Sequence, residues 1–454
     1  YVSHISLKVE RKLGNKDKKS NLKAGVTKLC FTAGLSNSQT LCPLILNLNP
    51  IYSSDNPSNK YKYLFDTAKS NDSFRSFAHY FNIWQDSIYI FPFANDVAST
   101  TQSEKKTAYV SSLCRELEMR KDYVSGESIE TIYFGGGTPS LLSQEDFIRI
   151  FSLIYKMYNV EPDAEITLEA NPDDLTPEYI TMLRSLPFNR LSMGIQTFNE
   201  DTLKLLRRHT AAQAIHAFND CRRAGFHNIS IDLMYGLPGE TLDSWQKDLV
   251  QAINLHPEHI SAYHLIYEEN TVLWKLREQH KVAEADEDLS VALFSTLIDS
   301  LSAAGYEHYE ISNFCLPGLH SRHNSSYWTG KKYLGCGPSA HSYNGISRQW
   351  NIASLDEYTK GIEDGTPAFE IEELDLYTRY NDFVITSIRT EWGMPLSKLR
   401  REYGEKLYAY CLRMAQPHLK QGTLEIVNDT LKLTRAGIFI SDGIMSDMLR
   451  VEEL

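Results

Sequence analysis

Thr131-Ile132-Tyr133-Phe134-Gly135-Gly136-Gly137-Thr138-Pro139-Ser140 is a short β-rich run that discharges into glycines. β-Branched and aromatic residues suit a pleated strand. Glycines behind such a strand let a ligand approach the backbone amides. A tight strand-to-helix turn explains one glycine run equally well, so the weight falls on recurrence. Working outward, the cadence repeats at Glu165–Ala170, Arg190–Gln196, Asn228–Met234, His259–Tyr267 and Tyr306–Ile311, with helical patterns between. Thr176-Pro177-Glu178 reads as an N-cap with proline in the first turn. Asn199-Glu200-Asp201 places acids where a helix N-terminus favours them. Strand–helix alternation predicts a parallel α/β sheet, doubly wound or a barrel. Polar groups stand at the ends of these runs: Glu169 in Glu-Ala-Asn-Pro, Gln196, Asp232 in Ile231–Pro238, and Tyr263-His264. In a parallel barrel those ends converge on one face. Each residue alone could cap a helix or bond a loop. Together they point to a shared polar ligand.

The chain has 454 residues, enough for two or three domains, with a globular mix of 42% hydrophobic and 23% charged residues. A net charge of -12 argues against nucleic acid or an anionic membrane as partner. No apolar run is long enough to span a bilayer, and Tyr1 to Lys19 lacks the apolar segment of a secretory signal. Seven cysteines lie at 30, 42, 114, 221, 315, 336 and 411, with no CxxC pair. That pattern suits free thiols in a reducing cytoplasm. Residues 1–82 show no sustained periodicity and read as a disordered or non-native extension. Residues 83–315 are expected to form the barrel, and 316–374 a further segment that ends in an acidic linker from Gly361. Residues 375–454 are expected to form a small winged-helix-like domain. In it, Leu424–Val427 and Thr430–Leu433 flank an Asn428-Asp429 turn.

Tyr133–Ser140, Glu169-Ala170-Asn171-Pro172, Met193–Phe198 and Ile231–Pro238 together resemble the radical-SAM coproporphyrinogen oxidase family, from about Thr100 to the C-terminus. The resemblance implies a partial parallel barrel. It implies S-adenosylmethionine held by Gly135, Gly136, Gly137, Thr138 and Glu169. By position, Gln196, Arg208 and Asp232 match the second such site of the oxidases. His323-Asn324-Ser325-Ser326-Tyr327-Trp328 then resembles the HNxxYW stretch of the HemW-type heme chaperones. This implies heme as ligand, with His323 as candidate axial ligand and Tyr327 and Trp328 against the porphyrin. It also implies an acceptor protein, whose identity the sequence does not give. The alternatives are an oxygen-independent coproporphyrinogen oxidase and, on residues 375–454 alone, a winged-helix nucleic-acid binder.

One part of the family pattern is missing. Radical chemistry needs a 4Fe–4S cluster on three thiolates spaced C-x3-C-x2-C near the first strand, and no such run occurs anywhere in this chain. The chain as written is therefore expected to hold no cluster and to leave S-adenosylmethionine intact. Codons that could encode Ile83 through Thr100 can be regrouped so that each triplet spans two neighbours. They then permit the reading MAGLYIHIPFCKRRCIY, with cysteine triplets across Phe93/Ala94 and Val97/Ala98. A frame change within residues 83–99 is expected on this ground, with residues 1–82 as upstream sequence.

Overall fold

This computed structural model describes residues 5–6, 32–33, 87–90 and 100–450, except 125, 137, 138, 269 and 270, with side chains from residue 105 onward. The readings placed on residues 1–82, Cys30 and Cys42 included, and on 91–99 lie outside the described residues, apart from a short antiparallel pair between Ile5–Ser6 and Thr32–Ala33.

The main unit spans Ile83–Asp375 with Arg389–Gly393. Its first strands are β1 (Ser87–Ile90), β2 (Ile129–Phe134), β3 (Val160–Ala170), β4 (Arg190–Gln196), β5 (Ile229–Tyr235) and β6 (His259–His264). Each pairs in parallel with the next. Helices α1 (Thr100–Met119), α2 (Gln144–Met157), α3 (Pro177–Arg184), α4 (Glu200–Leu205), α5 (Ala211–Arg223) and α6 (Leu242–Asn254) fill the crossovers. Thr176 and Asn199 cap α3 and α4 through their side chains, as their sequence positions predict. After β6 come α7 (Val272–Glu278) and α8 (Glu287–Ala303). Next are β7 (Glu307–Glu310), β8 (Asn313–Cys315), α9 (Arg322–Thr329) and β9 (Leu334–Cys336). The nine-stranded sheet runs β9-β1-β2-β3-β4-β5-β6-β8-β7. It is a partial parallel barrel. The sixth β-rich run does not extend the parallel series directly. Only two residues separate β7 from β8, too few for a crossover, so the two form an antiparallel hairpin and β8 takes the place beside β6.

The strands alternate, and the alternation decides what the barrel contains. Ile132, Phe134, Ile166, Leu168, Leu191, Met193, Ile231, Leu233 and Ile260 are buried. Phe134 meets Phe147 and Phe151 of α2, and Phe188, at ring distances of 5.2–5.5 Å. Burying each such ring contributes ~1.5–3 kcal/mol, so this apolar layer anchors strands to helices. The intervening residues are polar: Thr131 and Tyr133, Glu165, Thr167 and Glu169, Arg190 and Ser192, Ser230 and Asp232, His259 and Ser261. They bond one another across strands, so the barrel interior is a polar lumen.

The stretch from Gly361 to Leu374, expected as a linker, is structured. It holds the end of α10 (Leu355–Glu363) and the strand Phe369–Glu373, which pairs with Ser347–Asn351. The side chains of that strand are exposed, which is why this part reads as polar linker in sequence, while Ile362 and Leu374 at the two ends of the stretch are buried.

A second unit contains Leu376–Ile388 and Met394–Leu454. Tyr380, Val384, Ile388, Leu399, Cys411, Leu431 and Ile444 form its core. Leu424–Val427 and Thr430–Leu433 pair across Asn428 and Asp429, both at positive φ, the turn that their sequence signals. Met394–Pro395 completes a three-stranded antiparallel sheet. Among the described residues, no helix is long and apolar enough to cross a membrane.

Candidate functional site

At the C-terminal ends of β3, β4 and β5, Glu169, Asn171, Ser192, Gln196, Arg208 and Asp232 line one pocket. Four residues from separate strands and loops, Glu169, Gln196, Arg208 and Asp232, are thus brought together. Gly136 joins them through its backbone: its amide donates to Glu169 Oε2 at 2.8 Å. Tyr133 Oη donates to Glu169 Oε1 at 2.7 Å. Gly137 and Thr138 lie outside the described residues.

Local chain geometry builds this pocket. Gly136 sits at φ +73°, which glycine alone adopts without strain. A Cβ on Gly135 would lie 2.3 Å from the Tyr133 ring and 2.6 Å from Glu169 Oε1. Gly135→Ala is therefore expected to push Glu169 off its partners. A ligand held through Glu169 should then lose at least ~10-fold in affinity by calorimetry, equivalent to ~1.4 kcal/mol. Gln196 has φ +72° at a register shift between β4 and β5. A non-glycine residue held there is strained, and the irregularity breaks the strand where the pocket begins. Arg208 Nη1 donates to Asn171 Oδ1 at 2.7 Å.

The electrostatics are unusual. Burial, opposed by the Tyr133 and Gly136 hydrogen bonds, raises the Glu169 pKa. Burial, and then the Glu169 charge, pushes Asp232 up to about 7. Ser192 Oγ donates to Asp232 at 3.3 Å, and Ser261 bonds it as well. Deeper in the lumen, Arg190 is only 2% exposed, and its Nε has no hydrogen-bond partner among the described residues. Its charge lowers both carboxyl pKa values and depresses His259 and His323. Two carboxyls and one cation therefore share a poorly solvated space. A ligand with hydroxyls and positive charge suits that arrangement.

The HNxxYW residues are elsewhere. Glu165 lies four residues before Glu169, ~13 Å along the strand toward its N-terminal end. Its carboxylate accepts the amides of His323 at 2.9 Å and Arg322 at 3.0 Å, capping α9. His323 is 1% exposed. Its Nδ1 pairs with Thr131 Oγ1 at 3.2 Å and its Nε2 with Tyr327 Oη at 2.7 Å. The ring stacks on Tyr133 with centroids 4.3 Å apart. Burial and then the Arg190 charge keep it neutral. As placed, both ring nitrogens are engaged by hydroxyls, and ligation of iron by His323 would require one of these bonds to be released. Tyr327 is buried against His323, and the half-buried Trp328 lies under the Arg389 guanidinium at 5.7 Å. The motif fastens α9 to the barrel. His323→Gln is expected to leave a heme Soret band unchanged and to lower thermal stability by ~1–3 kcal/mol. A shifted or lost band with the melting temperature retained would restore ligation.

Sequence reading missed Arg190, Tyr133, Ser192 and Ser261. The signal was the strict polar–apolar alternation within each strand, which marks a polar face along its whole length rather than at its end.

A parallel partial barrel with a polar pocket at its strand ends places the chain in the radical-SAM class. The Radical SAM superfamily profile matches residues 101–251, and the HemN C-terminal domain profile matches residues 374–440. The chain is 32% identical over 336 residues to the heme chaperone HemW of Mycobacterium tuberculosis, covering 74% of this chain and 84% of that protein. It is 30% identical over 351 residues to the heme chaperone HemW of Bacillus subtilis, covering 77% and 93%. The chain belongs to the heme chaperone HemW family. Among solved structures, the radical-SAM enzyme coproporphyrinogen III oxidase (HemN) of Escherichia coli shares the fold. Its TM-score is 0.68 at 22% identity, over 80% of this chain and 89% of that one.

Proposed function

We propose that the chain binds heme and passes it to an acceptor protein, and that the pocket at the strand ends takes S-adenosylmethionine. The observation that carries the second part is the meeting of Glu169, Gln196, Arg208 and Asp232 in one pocket. The donor set fits that cofactor. Carboxylates suit ribose hydroxyls and the positive sulfonium, and Arg208 suits a carboxylate. The Gly136 amide is engaged by Glu169, so its part is to hold that carboxyl in place.

The 4Fe–4S cluster of the class does not fit. It needs three thiolates on one loop, and the sequence has no C-x3-C-x2-C run. The described cysteines, 114, 221, 315, 336 and 411, are all buried and sit on different elements. No radical step follows from these residues. The function supported is therefore binding and transfer of heme, with family membership as its ground.

Two titrations test the reading. Heme added to the full chain should give a saturable Soret band at one equivalent. S-Adenosylmethionine should bind by calorimetry, and Glu169→Gln should weaken it by at least ~10-fold. A linear, unsaturable heme titration would remove the first part. Equal affinity in Glu169→Gln would remove the second.

A further inference from the structure

We propose that Glu307, Cys315 and His320 form a binding site for a divalent cation of the zinc class, with Glu391 as a further carboxylate beside it. One ligand atom from each of the first three lies within 4.8 Å of the others. The site is separate from the pocket at the strand ends, and it draws on three chain segments fixed by backbone bonds.

The β7–β8 hairpin pairs Glu307 directly opposite Cys315. The chain then turns at Leu316-Pro317-Gly318-Leu319, where the Leu319 amide donates to Leu316 O at 2.9 Å and Gly318 adopts φ +77°. This is a tight turn with proline second and glycine third. It folds His320 back over Cys315, and the Leu319 amide also bonds the Cys315 sulfur. Glu391 is held by its amide to Tyr309 O at 3.0 Å, next to a bridge between Glu310 and Thr390. The sulfur is buried, while the imidazole and both carboxylates reach solvent. Tyr309 and Trp392 wall the imidazole at 4.8 and 5.6 Å.

His320 Nε2 stands 3.4 Å from a Glu307 oxygen and 3.4 Å from a Glu391 oxygen. A simple ion pair would direct the ring N–H at one of them. Instead Nε2 is buried and makes no hydrogen bond to either. The nitrogen stands equally close to both oxygens without bonding either, a spacing that a shared ion would bridge. Thiolate, imidazole and carboxylate are the ligand types of zinc, whereas magnesium and calcium take oxygen alone. Zinc bonds of ~2.0–2.3 Å need the donors only ~3.3–3.8 Å apart, a contraction that side-chain rotation supplies. On binding, the thiol proton passes to solvent and the sulfur bonds the cation as thiolate. No oxidation is involved.

Cobalt(II) is the probe, because a thiolate bound to it absorbs in the near ultraviolet. Full-length protein, stripped with chelator and kept reduced, should bind one cobalt with that band, and zinc should displace it. His320→Gln should weaken cobalt binding at least ~10-fold. Cys315→Ser should remove the band while circular dichroism stays unchanged. Failure to bind cobalt would overturn the site, as would a bound ion without the band. So would a band that persists in a folded Cys315→Ser protein, since the sulfur would then come from another cysteine. Should Cys315→Ser fail to fold, unchanged cobalt affinity in His320→Gln alone would overturn the proposal.

Discussion

Anaerobic reconstitution with iron and sulfide should leave this chain without a stoichiometric 4Fe–4S cluster, and incubation with S-adenosylmethionine and reductant should release no 5′-deoxyadenosine. The argument is chemical. Three soft thiolates must converge on three irons, and the position before α1 where the class places them holds Pro92-Phe93-Ala94-Asn95-Asp96-Val97-Ala98. The regrouped codons of residues 83–99 supply two of the three cysteines, and the Thr100/Thr101 junction cannot encode the third. A version with that frame repaired, and the third cysteine restored at the C-x2-C spacing from the second, should gain the cluster, about four irons and four sulfides per chain. The contrast is all or none. Stoichiometric acid-labile sulfide in the chain as written would defeat it. Sequenced codons without cysteine triplets across Phe93/Ala94 and Val97/Ala98 would end the frame argument.

Stability should fall as pH rises from about 4 toward 7, and Asp232→Asn should flatten much of that slope. Asp232 titrates at about 7 in the fold because burial and Glu169 penalise its charge. In the unfolded chain a carboxyl loses its proton near ~3.9. Between those values the folded state holds a proton that the unfolded state has released. The contribution is therefore complete below the unfolded pKa and is lost as pH rises through the folded one. A shift of this size corresponds to ~4 kcal/mol at most. Asp232 borders the open pocket, so water screens part of it, and ~1–3 kcal/mol is the expected loss. Denaturant melts at pH 5 and 8 measure it directly. A cationic ligand favours the ionised carboxyl, so S-adenosylmethionine should bind more tightly at pH 8 than at pH 6. A parallel slope in wild type and Asp232→Asn would refute the assignment.

Much of the barrel could be read in advance because its strands are short and each announces itself locally. Arg190–Gln196 appears with the bounds its sequence suggests. Two pocket residues were legible for the same reason: Glu169 and Gln196 stand at the ends of their runs, while Asp232 stood out as a lone carboxyl inside the apolar run Ile229–Tyr235. What escaped was non-local. His323 has an eligible imidazole in a recognisable stretch, but its partners are Thr131, 192 residues earlier, and Tyr327. Arg190 looked like a polar strand boundary, yet the barrel curves over it and encloses its charge. The run at Tyr306–Ile311 had the right composition for a strand. Its neighbour was decided by the two-residue turn into β8, which composition alone does not reveal.

The pairing of β1 with β9 sets a timetable for synthesis. Ile88 finds Leu334 only after about 250 further residues have emerged, ~10–50 s at ~5–20 residues per second. Through that interval one margin of the parallel sheet stands open on the ribosome, its amides and carbonyls without a neighbour. Unpaired margins invite pairing with other chains. Nascent chains arrested before residue 334 should therefore be the species most prone to aggregate and most dependent on a holding chaperone, and release of β9 should cover the margin of β1.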